Sequence, residues 1–191
     1  MTKLSDTRKV RAYTNIALIK YWGKRDDKLI LPTSSSLSLT LDAFYTETAV
    51  SFDESLEKDT FYLDDNLQDE AATLKVSRFL NLFRETADVK TSAIIKSTNY
   101  VPTAAGLASS ASGMAALAGA ANLASGLNLT PQELSIFVRQ GSGSASRSVY
   151  GGFVEWQKGT SSVDSYAVKV DNADWDIGMV VVVVNKNQKE L

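Results

Sequence analysis

Ser109, Ser110 and Ser112 close a glycine-containing run, Asn99-Tyr-Val-Pro-Thr-Ala-Ala-Gly-Leu-Ala-Ser-Ser-Ala-Ser-Gly113, that opens into a stretch of small residues. A turn running into a helix presents unpaired backbone N–H groups at the positive end of the helix dipole, which suits a phosphate. The three hydroxyls can bond phosphate oxygens or a magnesium shell. No Gly-Lys-Ser/Thr follows, so the run is not a Walker A loop. The plain alternative is a strand–helix connection with a serine N-cap.

Two other stretches carry chemistry-bearing side chains. Asn15-Ile-Ala-Leu-Ile-Lys-Tyr-Trp-Gly-Lys24 sets Lys20, Tyr21 and Lys24 in an otherwise apolar segment. Two lysines and a phenol can hold a diphosphate; an amphipathic strand with solvated lysines has the same composition. Trp22 is expected to pack. Gly141-Ser-Gly-Ser-Ala-Ser-Arg-Ser-Val-Tyr-Gly-Gly152 combines glycine turns, hydroxyls at Ser142 and Ser144, and Arg147. It departs from the dinucleotide fingerprint at its last glycine and follows a helix where that fingerprint needs a strand. Arg147 can grip a carboxylate or phosphate with two parallel bonds, or it can be a structural arginine that caps a helix or pairs with an acid. The acidic pairs Asp26-Asp27 and Asp64-Asp65 are expected to be solvated turns.

What the chain lacks narrows the chemistry further. It has no Cys and no His, which excludes thiol nucleophiles, a Ser-His-Asp triad and His-ligated zinc within these residues. Carboxylates, Lys, Arg, hydroxyls and backbone amides remain, with a hard cation such as Mg²⁺; that inventory suits phosphoryl transfer. A net charge of −2 gives no electrostatic reason to expect nucleic acid or a membrane surface as partner. With no apolar run near the ~20 residues of a membrane span and no apolar signal core, a cytoplasmic protein is expected.

These groups need elements to hold them. Residues 10–22 read as a strand leading into the lysine-bearing turn. Residues 36–42 alternate Leu with polar residues, as a half-buried strand does; 46–52 is a second such run and 60–63 a short third. Residues 68–87 have helical spacing, with Leu74, Phe79, Leu82 and Phe83 on the inner side. A strand over 92–98 feeds the phosphate turn. Residues 107–125 form a helix of small residues, stopped at Gly126. Thr130-Pro-Gln-Glu133 announces the next helix, with Thr130 as N-cap and Glu133 as capping-box partner. Strands follow at 153–157, 166–170 and 179–185. The mixture, without regular βα alternation, predicts an α+β fold with no internal repeat.

The run Pro102-x-x-x-Gly106-Leu107-x-Ser109-Ser110-Ala111 resembles the ATP-binding motif of the GHMP kinase superfamily. Thr14 to Lys24 and Gly141 to Phe153 narrow the resemblance to the mevalonate diphosphate decarboxylase family, and the three motifs stand in that family's order. The resemblance implies a ribosomal-protein-like left-handed βαβ N-terminal domain, with the ferredoxin-like C-terminal half and its catalytic aspartate absent from residues 1–191. It places the ATP triphosphate on Gly106, Leu107, Ala108, Ser109, Ser110 and Ser112, with Asn99 and Tyr100 at the nucleotide's edge and Ser109 toward Mg²⁺. It assigns mevalonate 5-diphosphate to Asn15, Lys20, Tyr21, Lys24, Ser142, Ser144 and Arg147, with Lys20 and Arg147 nearest the chemistry. A homodimer is implied for the complete enzyme, and inactivity for this stretch alone. A small-molecule kinase and a non-catalytic nucleotide-binding module are the competing readings.

Overall fold

A computed structural model describes residues 9–101, 109–170 and 175–180. In chain order the elements are β1 (Val10–Ile19), β2 (Lys24–Asp26), β3 (Leu31–Pro32), β4 (Ser36–Asp53), β5 (Thr60–Leu63), β6 (Asn66–Leu67) and α1 (Glu70–Ala87). They continue with β7 (Ser92–Tyr100), α2 (Ser109–Ser125), α3 (Pro131–Gly141), a 3-10 helix (Gly143–Val149), β8 (Phe153–Trp156) and β9 (Ala167–Lys169). The α+β expectation holds.

β4 organises the sheet, whose strand order is β6-β5-β7-β4-β8-β9 with β1 on β4's remaining edge. Along that edge β1 runs antiparallel to β4. The opposite edge is divided: residues 36–39 pair with β8 and residues 45–53 with β7. β5 is parallel to β7, and the crossover between them runs through β6 and α1.

Residues 36–42 and 46–52 are therefore one strand, not two. The pairing jumps from Tyr13↔Tyr45 to Thr14↔Leu41, so residues 42–44 bulge out of register with β1. That bulge interrupts the alternation and makes one strand read as two. The burial is also opposite to the apolar pattern. Ser36 and Ser38 are buried while Leu37 and Leu39 are only partly covered, so β4 turns a hydroxyl face inward.

α2 lies against β1 and β4, flanked by α1 and α3. Its small residues allow this. A Cβ on Gly119 would stand 2.6 Å from Val10 Cγ1, so glycine lets the helix settle on β1. α1 contributes Phe79, Leu80 and Phe83 to the core, where full burial stabilises by about 2 kcal/mol per side chain. Leu74, expected on that inner side, is 48% exposed, and Leu82 is partly buried. Asp69 caps α1, and Thr130 with Glu133 forms the expected capping box on α3.

Two further expectations fail. Trp22 is 80% exposed instead of packed, at the mouth of a β2–β3 hairpin the sequence did not announce. Met179 and Val180 lie outside any strand and are exposed; the rest of the proposed strand, 181–185, falls outside the described residues. No described helix is long and apolar enough to cross a membrane.

Candidate active site

The 3-10 helix after α3 carries Arg147 inward. Two features hold the segment tight. Gly143 must lack a side chain, because a Cβ there would stand 2.8 Å from Trp156 Cη2 and 2.9 Å from the Tyr21 hydroxyl. Ser146 Oγ donates to Gly143 O at 2.7 Å, closing the turn on itself. Arg147 is then 2% exposed.

Its partners are neutral. One terminal nitrogen donates to Ser36 Oγ at 2.6 Å, and the other to Asn15 Oδ1 at 3.3 Å. Nε is buried with no partner among the described residues. Asn15 in turn donates to Ser148 Oγ at 2.8 Å and Ser144 O at 3.0 Å, so its amide is committed to the protein. No carboxylate pairs with Arg147 among the described residues. Burial pulls the guanidinium down to about 10, with the Tyr21 phenol countering slightly, so it stays charged at neutral pH. A buried cation with only neutral partners is costly, and an anionic ligand removes that cost.

The structure brings Asn15, Ser144 and Arg147 into direct contact, with Ser142 Oγ 3.4 Å from Ser144 Oγ. Tyr21 joins them from the other side, edge-on to Trp156 at 4.8 Å between ring centroids. Lys20 follows the end of β1 and Lys24 opens β2; both are exposed, and Lys24 Nζ stands 3.4 Å from Asp27 Oδ1 in a surface ion pair.

The phosphate-type segment lies at the other end of β4. Ser109 and Ser110 are exposed in the first turn of the 17-residue α2, at the end of the helix whose dipole suits an anion. Ser112 is buried, 2.8 Å from Thr46 Oγ1. Asn99 Oδ1 accepts from Thr46 Oγ1 at 2.8 Å, and the Asn99 backbone N–H donates to Asp64 Oδ1. Tyr100 is partly exposed and stacks on Tyr45 at 4.4 Å, with the Arg11 guanidinium 4.1 Å from the Tyr45 ring centre. Gly106, Leu107 and Ala108 lie outside the described residues. Among the described residues no group of three or more His, Cys, Asp or Glu could hold a metal ion.

Sequence reasoning missed Ser36 and Thr46. Their signal was a hydroxyl recurring where alternation on a buried face calls for an apolar residue. It also left open whether Arg147 was structural, and its lack of an acid partner favours ligand binding.

Comparison with known proteins bears on this geometry. A family model described as the diphosphomevalonate decarboxylase-like N-terminal domain matches residues 12–167. The diphosphomevalonate decarboxylase of Ganoderma lucidum is 42% identical over 93% of this chain and 49% of its own length; that of Saccharomyces cerevisiae is 40% identical over 97% and 51%. The chain thus spans about half the length of the curated relatives it matches. Among solved structures, the mevalonate diphosphate decarboxylase of Enterococcus faecalis is 60% identical with a TM-score of 0.81, covering 85% of this chain and 50% of that one. A structure of MDDEF with MVAPP, AMPPCP and magnesium matches with the same figures, 60% and 0.81, over 85% of this chain and 50% of that one. The Staphylococcus aureus enzyme is 51% identical with a TM-score of 0.84 over 87% of this chain and 50% of its own. From β1 to the start of β9, and through every element that positions the buried arginine, this chain belongs to the diphosphomevalonate decarboxylase-like N-terminal domain family.

Proposed function

We propose that the full-length protein carries out the ATP-dependent decarboxylation of mevalonate 5-diphosphate, giving isopentenyl diphosphate, ADP, phosphate and carbon dioxide. The observation that carries this reading is Arg147, a buried cation held, among the described residues, by Ser36 and Asn15 alone and placed beside Tyr21 and Ser144. A substrate with a carboxylate at one end and a diphosphate at the other supplies the missing negative charge. The relative bound to MVAPP, AMPPCP and magnesium supports the ligand pair.

In this reading Arg147 holds the carboxylate side of the substrate, with Ser142 and Ser144 offering hydroxyls alongside. Lys20, Tyr21 and Lys24 hold the diphosphate; the ion pair of Lys24 with Asp27 is exposed and weak enough to exchange for phosphate. The hydroxyls of Ser109 and Ser110 and the α2 N-terminus meet the triphosphate of ATP. The Ser109 hydroxyl, a hard oxygen donor, would hold magnesium, which when bound would supply charge neutralisation at the triphosphate.

The chemistry follows from the leaving groups. The tertiary 3-hydroxyl takes the γ-phosphoryl, which turns a poor leaving group into a good one. The C1–C2 bond then breaks as CO₂ departs, its electron pair forms the new C2–C3 double bond, and phosphate leaves C3. Positive charge builds at C3 during departure, so the site must orient the carboxylate without neutralising it. Fixed on two neutral partners, Arg147 orients by charge while its protein contacts stay unchanged. Removal of the 3-hydroxyl proton is assigned to no residue of this chain.

Release of ADP and CO₂ in equal amounts from MgATP and mevalonate 5-diphosphate is the expected result for the full-length protein. ADP without CO₂ would mean a kinase, and neither product would leave only a nucleotide-binding fold. A cytoplasmic homodimer belongs to the same proposal and rests on the resemblance alone; light scattering on the full-length protein tests the dimer.

A further inference from the structure

β4 carries two buried threonines on one face, and only one of them reaches a helix. Thr46, 1% exposed, stands opposite Asn99 across the β4–β7 pair. Its hydroxyl proton goes to Asn99 Oδ1 at 2.8 Å, which leaves its oxygen to accept from Ser112 Oγ, also at 2.8 Å. With that proton on Thr46, Ser112 Oγ keeps only a 3.1 Å contact to Ser109 O, and the link runs from the end of β7 through β4 to Ser112 in the first turn of α2. Thr48 is two residues along the same strand and fully buried. Its hydroxyl meets Ser97 Oγ at 2.8 Å, and the contact stays within the sheet.

We propose that Thr46 is a positioning residue for the nucleotide: its one hydroxyl fixes the Ser109–Ser110 turn relative to Asn99 and Tyr100. This inference rests on the reading of that turn as a holder of ATP phosphates. Thr46 itself touches no ligand. It sits between two segments that must keep a set distance for phosphate and the rest of the nucleotide to be held together. Losing the hydroxyl leaves Asn99 Oδ1 and Ser112 Oγ without their shared partner and lets the helix turn drift. Geometry at a phosphoryl donor is sensitive to drift, and a displacement near 1 Å costs up to about a hundredfold in rate.

The test uses the full-length enzyme and four forms: wild type, Thr46→Val, Thr46→Ser and Thr48→Val. Binding of a non-hydrolysable ATP analogue to the wild type is measured first, by calorimetry; no binding there overturns the nucleotide reading itself, and this inference with it. With binding established, Thr46→Val is expected to raise KM for ATP roughly tenfold. KM for mevalonate diphosphate should stay within about twofold. Thr46→Ser should restore the ATP value, and Thr48→Val, equally buried, should leave both KM values near wild type. A Thr46→Val enzyme with unchanged KM for ATP, or a Thr48→Val enzyme with the same rise, would overturn the role. Should Thr46→Val not fold, Thr46→Ala removes the same hydroxyl without adding a methyl and carries the test.

Discussion

Among the described residues two arginines are buried and Arg84 is partly buried, and each of the three has a different set of partners. Arg84 of α1 grips both oxygens of Asp59, at 2.5 and 3.0 Å, and also donates to Thr91 O. Among the described residues Arg139 of α3 has no carboxylate in contact and its Nε, like that of Arg147, has no partner, but it finds the carbonyls of Ser162 and Ser165 and the Ser162 hydroxyl, with Arg25, Asp26 and Asp164 in its field. Arg147 has one hydroxyl and one amide oxygen. Burial pulls both Arg139 and Arg147 down to about 10, so burial alone does not separate them. The acceptors do. Three oxygen acceptors, two of them carbonyls, make Arg139 a strut between α3 and the 157–166 loop. Arg147, with neutral partners only, leaves its charge for something else to compensate.

Substituting each in turn tests that contrast. Arg147→Gln should lower kcat/KM of the full-length enzyme by roughly 10²–10³-fold, the scale for losing a charged contact at a reacting centre. Its urea midpoint should hold or rise, since an uncompensated buried charge is removed. Turnover within a few-fold of wild type would make Arg147 a second strut. Arg139→Met should do the reverse, costing about 2–4 kcal/mol of stability through orphaned carbonyls while both KM values hold in the folded protein. Measured together, the two variants should cross over between a stability axis and an activity axis.

Gly143→Ala reaches the same comparison through packing. Its Cβ would push into Trp156 and the Tyr21 hydroxyl, for a loss of about 1–3 kcal/mol. KM for the diphosphate substrate should rise several-fold as Tyr21 moves, and an unchanged KM would separate Tyr21 from the site.

The smallest effect is set by pH at the third arginine. Burial raises the Asp59 carboxyl, but bonds from Arg84, Ser77 and the Ala93 amide outweigh it and hold its pKa below the ordinary value. The unfolded chain therefore takes up the proton first as acid is added. The contribution is full above the ordinary carboxylate range, near pH 4, and is lost as pH falls through the lower folded value. Asp59→Asn should flatten the acid limb of the stability curve, whereas Arg147→Gln should leave that limb unchanged.

Much of this was written locally in the chain. The capping box at Thr130 and Glu133, strand 60–63 and the stop at Gly126 follow from residues within a few positions of each other, and the structure has them where the sequence puts them. Arg147 was legible as a candidate but not as a choice between strut and ligand holder, because that choice depends on Ser36, 111 positions away. The β2–β3 hairpin escaped for a related reason. Its turn puts Ile30 at a φ of +50°, a conformation a β-branched residue seldom signals. β4 misled in two ways, through a bulge that broke its pattern and through serines taking the side where leucines were expected. Hydroxyls can occupy a buried face only when partners from distant segments satisfy them, and no window on one strand contains those partners.

Ser36 and Thr46 belong to a single strand, with the 42–44 bulge between them. A strand turns successive side chains to opposite faces, so losing or gaining one residue in that interval would reverse one of the two relative to the other. Either Arg147 or the Asn99–Ser112 link would then lose its hydroxyl, even though every side chain in both sites was untouched. A single-residue insertion or deletion at 42–44 should therefore cost one site or the other, where a point change there should cost neither.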